Sequence, residues 1–153
     1  MAVKKMSMTL RALSHLLTYP DAELRAHLGE LQQVLHAEGV LGKARLAALD
    51  ELVAKLLAED ALDCEALYVE VFDRGRSTSL HLFEHVHGDS RDRGTAMVDL
   101  GKTYHSAGLD LAPGELPDYL PAVLEFVSTQ PTPQARGFLS EIAHILNAVH
   151  SAL

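Results

Sequence analysis

A chain of 153 residues suits one domain of ordinary size. Hydrophobic residues make up 48%, charged residues 22% and aromatics only 5%, with no Trp, so the chain reads as globular with an aliphatic core. The formal charge of −8 excludes non-specific adhesion to nucleic acid or to an anionic membrane, and a lone cysteine, Cys64, excludes an intramolecular disulfide and multi-thiolate zinc sites. A reduced, cytosolic protein is expected.

In chain order, residues 1–10 are too polar and too short for a signal-peptide core. The first acid is Asp21, which leaves a basic amphipathic presequence as the alternative to a plain first helix. Thr9 is placed to cap that helix, which must stop before Pro20. Asp21 caps the next, whose Leu24, Leu28, Leu31 and Leu35 share a face, with Gly39 beyond its end. Leu46, Leu49, Val53, Leu56 and Leu57 repeat the period in a third helix, and residues 60–72 carry Leu62, Leu67, Val71 and Phe72 in a fourth. Residues 91–107 predict a helix with Ala96, Met97, Leu100 and Tyr104 turned inward. Pro117 fits the first turn of a helix running to about residue 127. Residues 130–133 break the chain, and a last helix buries Phe138, Ile142, Ile145, Leu146 and Val149.

The apolar, charge-free run at residues 142–153 holds His144, Asn147 and His150 and falls short of the roughly 20 apolar residues of a membrane span. There is no convincing period-2 strand and no internal repeat. The expected fold is all-α, a single-domain bundle over residues 1–153 of about six to eight helices. Within it, residues 73–94 pack four acids, four arginines and three histidines among three glycines. Balanced charge of this density fits a recognition surface or an internally paired connection.

Several motifs invite chemistry and fall short of it. His81 and His85 share a helical face and His87 follows, but the zinc-protease pattern needs Glu directly after the first His, where Leu82 stands. Three histidines among Glu84, Asp89 and Asp92 would still titrate near neutral pH. Gly101-Lys102-Thr103 resembles the end of a phosphate loop, but Ala96 replaces the required glycine and no strand precedes it. Ser77, Ser79 and Ser90 lie in no nucleophile elbow, and Cys64 sits within an amphipathic helix. From the residues alone, a helical module gripping an amphipathic partner helix leads, lined by Met97, Phe83, Tyr68 and Tyr119, with a metal- or nucleotide-dependent hydrolase using His81, His85 and His87 as the rival.

Residues 68–100, from Tyr68-Val-Glu-Val-Phe-Asp-Arg-Gly-Arg through His81-Leu-Phe-Glu-His-Val-His-Gly-Asp-Ser-Arg-Asp-Arg-Gly94 to Leu100, closely resemble the signature of the NarJ family. These are the assembly chaperones, or delta subunits, of respiratory nitrate reductase. Residues 115–126, Glu-Leu-Pro-Asp-Tyr-Leu-Pro-Ala-Val-Leu-Glu-Phe, are similar to elements of that family and of TorD-type maturation chaperones, and Leu13 to Pro20 also fits. The resemblance spans nearly the whole chain.

It implies an all-helical cytoplasmic chaperone with no catalytic step and no stably bound cofactor or metal. The implied partner is the apo catalytic subunit of a nitrate reductase, including its N-terminal peptide, held while molybdenum cofactor is inserted, before membrane anchoring. Cofactor-biosynthesis proteins are further implied partners; nucleic acid and membrane are not. The family motif maps onto Asp73, Arg74, Gly75, Arg76, His81, Phe83, Glu84, His85, His87, Gly88, Arg91, Asp92 and Arg93. A basic amphipathic peptide would then set its apolar face on Tyr68, Phe83, Met97, Tyr104 and Leu120 and its basic side on Glu70, Glu84, Asp89 and Asp118. Arg74, Arg76, Arg91 and Arg93 would shape the connection by pairing with acids. The chain stops at Leu153 inside a predicted helix, whereas family members usually continue into a tail tied to later maturation steps; a truncated chain and a short member are both open. Another molybdoenzyme as client and a helix-swapped dimer beside a monomer remain open as well.

Overall fold

The computed structural model describes residues 5–87 and 90–153. These form eight α-helices: α1 (Ser7–Leu16), α2 (Ala22–Glu38), α3 (Lys43–Ala58), α4 (Ala61–Phe72), a single turn α5 (Phe83–Val86), α6 (Asp92–Ser106), α7 (Leu120–Ser128) and α8 (Thr132–Ala152). The all-α expectation holds, and no described helix is long and apolar enough to cross a membrane.

Local chemistry sets the two ends of α2 as the sequence predicts. Asp21 accepts the N–H of Leu24 at 2.8 Å and opens α2, and Gly39 closes it at φ 65°, a conformation glycine takes without steric penalty. Asp60 accepts from Leu62 at 2.9 Å and opens α4. Two starts differ from expectation. Thr9 lies inside α1 and caps nothing; the Glu38 carboxylate, arriving from the end of α2, takes the N–H groups of Met8 and Thr9 instead. The helix expected at Pro117 begins at Leu120, and Pro121 is its first-turn proline. Pro117 precedes it because Asp118, Tyr119 and Leu120 are engaged in a bridge to residues 80–82.

α7 is apolar on nearly every side, and all its residues except Glu125 are buried, as a helix without a polar face must be. α1 and α8 pack on it. Leu10, Leu80, Leu82, Tyr104, Val123, Phe126, Val127, Ala135 and Ile145 close one core around α7, with the Phe126 ring 4.9 Å from that of Tyr104. Ser14 of α1 donates to the Pro121 carbonyl at 2.6 Å, pinning the two helices together. A smaller cluster, Leu24, Leu28 and Val53, joins α2 to α3. Of the leucines the period placed on helical faces, Leu57, Leu62 and Leu67 are exposed.

Residues 73–94 are not a bare loop. They contain α5 and the start of α6, and His81 and Tyr119 form an antiparallel bridge. Leu120 N–H donates to Leu80 O at 2.8 Å and Leu82 N–H to Asp118 O at 3.0 Å. The polar connection is thereby stitched to the entry of the central helix.

Candidate functional site

Two features stand out. The first is an open groove of about 320 Å³ whose floor is the end of α1 (Leu16, Leu17, Thr18, Pro20) and whose walls come from α3 (Leu52, Lys55, Leu56) and α4 (Cys64, Leu67, Tyr68, Val71, Phe72), with Glu59 between them. The α4 positions recur at helical spacing and present one apolar face. That face exists because α3 and α4 carry more leucines than one core stripe needs, so the surplus meets solvent: Leu52 is 40% exposed and Leu67 53%. Arg25 of α2 braces the far end, donating to the Leu56 carbonyl and to Glu59 O at 3.2 Å and lying 3.4 Å from the Cys64 thiol. The groove lining itself holds one carboxylate, Glu59, and one cation, Lys55, on a stretch (residues 43–73) that carries eight carboxylates against three cations.

The second is the bridge itself. Asp118 is fully buried; its Oδ2 accepts the Phe83 N–H at 3.0 Å, while Oδ1 lies 3.5 Å from His81 Nδ1. Neither of these last two atoms has a closer hydrogen-bond partner. The carboxylate beside it, opposed by partial burial, raises the His81 pKa. The His81 ring stacks on Tyr119 at 5.0 Å and 26°. The Tyr119 hydroxyl lies 2.7 Å from that of Tyr68, which donates to Leu17 O at 2.8 Å. Burial pushes both phenols up, so both keep their protons at ordinary pH.

The groove holds one sequence-predicted contact residue, Tyr68. Tyr104, Asp118 and Leu120 lie inside the core, so their expected contact with a peptide is corrected: Tyr104 donates to Pro117 O at 2.7 Å, and Asp118 holds the bridge. Glu70 is exposed on α4 outside the groove lining, and Met97 is half-buried on α6. Phe83 and Glu84 are half-buried in α5, Phe83 edge-on to His87 at 5.1 Å and Glu84 3.8 Å from Arg93. Gly88 and Asp89 lie outside the described residues.

Asp73, Arg74, Gly75 and Arg76 line a polar cleft of about 480 Å³ together with Ser79, His81 and Glu84. Arg91 and Asp92 start α6 at the surface. His85 sits 2.8 Å from Ser79 O, so the three histidines face three different partners. Among the described residues no three His, Cys, Asp or Glu side chains converge as metal ligands would.

The groove was hidden in the sequence because Leu52, Leu56 and Leu67 look like any core leucine. The one available signal was their excess over a single stripe on α3 and α4.

A family model for the nitrate reductase delta subunit matches residues 18–153. The nitrate reductase molybdenum cofactor assembly chaperone NarJ of Escherichia coli K12 is 48% identical over 141 residues, covering 92% of this chain and 60% of the relative. This chain therefore spans about 60% of the length of that relative. The nitrate reductase-like protein NarX of Mycobacterium tuberculosis is 39% identical over 147 residues, covering 91% of this chain and 21% of its own. The backbone also matches a crystal structure from Archaeoglobus fulgidus, described as a redox enzyme maturation protein, with TM-score 0.64 and 21% identity over 93% of this chain and 78% of that one. With the family model matching all but the first 17 residues, this chain belongs to the nitrate reductase delta subunit family.

Proposed function

We propose that this chain is a maturation chaperone for a nitrate reductase catalytic subunit, acting in the cytoplasm without a catalytic step of its own. It grips the N-terminal segment of the apo subunit as an amphipathic helix, and in doing so supports molybdenum cofactor insertion into the client. The observation that carries the reading is the leucine-walled groove between α1, α3 and α4. An amphipathic helix sets residues at i, i+3, i+4 and i+7 into such a groove. Each leucine-sized anchor buried there contributes about 1.5–3 kcal/mol, so three or four anchors offset the cost of association. The net charge of −8 steers a basic peptide toward the chain in preference to an acidic one. Family membership supports the client class, and the exposed Leu52 and Leu67 support the seat.

The test is calorimetric titration with a synthetic peptide of the N-terminal segment of a nitrate reductase catalytic subunit. Saturable one-to-one binding is expected. Leu67→Glu and Leu52→Glu should each weaken it about tenfold or more while leaving the helical circular dichroism unchanged. Should Phe83→Ala and Glu84→Ala abolish binding while the groove variants bind normally, the seat lies on the signature segment and the groove assignment is wrong.

A further inference from the structure

We infer that Tyr119 is a positioning residue for the groove: it touches no ligand but fixes Tyr68, and through it the signature segment around His81 sets groove affinity. The inference rests on the groove being the peptide seat. Tyr68 lines the groove and Tyr119 does not. The single proton of the Tyr68 hydroxyl is given to Leu17 O at 2.8 Å, so in their 2.7 Å contact the Tyr119 hydroxyl must be the donor and Tyr68 oxygen the acceptor. Leu17 is itself part of the groove floor. Tyr68 is thus tied at its tip to the floor on one side and to Tyr119 on the other, with Tyr19 edge-on at 5.8 Å and Phe72 tilted at 5.0 Å flanking its ring.

Tyr119 is in turn immobilised from three directions. Its backbone neighbours are held by the bridge bonds Leu82 N–H to Asp118 O and Leu120 N–H to Leu80 O. The Asp118 side chain holds the Phe83 N–H. Its ring lies flat against His81. The chain of touching groups runs without a gap from His81 to Tyr119, to Tyr68, to Leu17 at the groove floor. Without the Tyr119 donor, Tyr68 keeps one tether and gains freedom to swing into the groove. A peptide must then order that side chain on binding, which lowers affinity even though the groove still offers the peptide the same surface.

The experiment is a double-mutant cycle in peptide affinity, using Tyr119→Phe, Tyr68→Phe, the double variant and Leu67→Glu, titrated where circular dichroism shows every variant fully folded. Tyr119→Phe should weaken the synthetic N-terminal peptide by about three- to tenfold, the range of one hydrogen bond. The double variant should bind no more weakly than Tyr68→Phe alone, because Tyr119 acts only through the Tyr68 hydroxyl. Loss of stability alone would leave the affinity of the folded protein unchanged, so the cycle separates positioning from support. Wild-type affinity in Tyr119→Phe, or a double variant weakened by the product of the two single effects, overturns the inference. If Leu67→Glu also binds as wild type does, the groove reading falls and this inference with it. If Leu67→Glu loses the peptide while Tyr119→Phe does not, the groove stands and the positioning role alone falls.

Discussion

The Glu38 carboxylate, at the last residue of α2, grips the N–H of Thr9 at 2.8 Å and that of Met8 at 3.1 Å, so one helix end supplies the cap of another. A carboxylate there also sits at the positive end of the α1 dipole. Glu38→Ala should lower stability by about 1–2 kcal/mol in urea denaturation, with Glu38→Gln losing less because an acceptor remains. Equal loss in both variants would show that the charge, not the acceptor, is what matters.

His81 supplies a pH dependence with a definite sign. Its folded-state pKa is raised, chiefly by Asp118. The imidazolium therefore stabilises the fold fully below the unfolded value of about 6.5, and that contribution disappears as pH rises through the higher folded value. Denaturation midpoints compared between pH 6 and pH 8 should fall less in His81→Gln than in the parent. An identical pH slope in the two proteins would contradict the assignment.

Asp118→Ala removes the acceptor of the Phe83 N–H inside the core and should cost about 1–3 kcal/mol. Amide exchange should speed up at Phe83 and at Leu82, the neighbour bonded to the Asp118 carbonyl. Protection unchanged at both amides would mean the bridge holds without the side chain.

Two glycines in open space should respond with opposite signs. An added Cβ at Gly29 or at Gly39 meets nothing within 4 Å, but Gly39 has φ 65° while Gly29 lies within α2. Gly29→Ala should stabilise by about 0.5–1 kcal/mol and Gly39→Ala should destabilise by about 1–2 kcal/mol, read from urea midpoints.

Leucine truncation should map core against surface. Leu28→Ala, at a fully buried position joining α2 to α3, should cost about 2–5 kcal/mol. Leu62→Ala, with Leu62 73% exposed, should change stability by no more than about 0.5 kcal/mol. A large loss at Leu62 would reveal a contact that the fold does not contain.

What could be read in the sequence was what neighbours in the chain decide. The cap Asp21, the stop at Gly39 and the faces of α2 and α8 depend on residues a few positions apart. What could not be read depends on distant partners. Glu38 replaces Thr9 as the cap from 29 positions away. Asp118 looks like a surface acid, yet it is buried where the backbone of residues 118–120 pairs with that of residues 80–82, and a one-residue bridge leaves no alternating pattern to detect. The groove escaped notice for a third reason: a leucine facing solvent and a leucine facing the core have the same letter, and only the packing of α3 and α4 separates them.

The bond between Ser14 and Pro121 spans 107 residues. During synthesis, α1 is made well before α7, the helix on which it packs most extensively. α2, which also packs on α1, is made before α7 as well. Translation must pass residue 128 before the central helix exists and the main core can close. Closing the core around α7 thus waits on contacts between segments far apart in the sequence, a non-local pairing that slows folding.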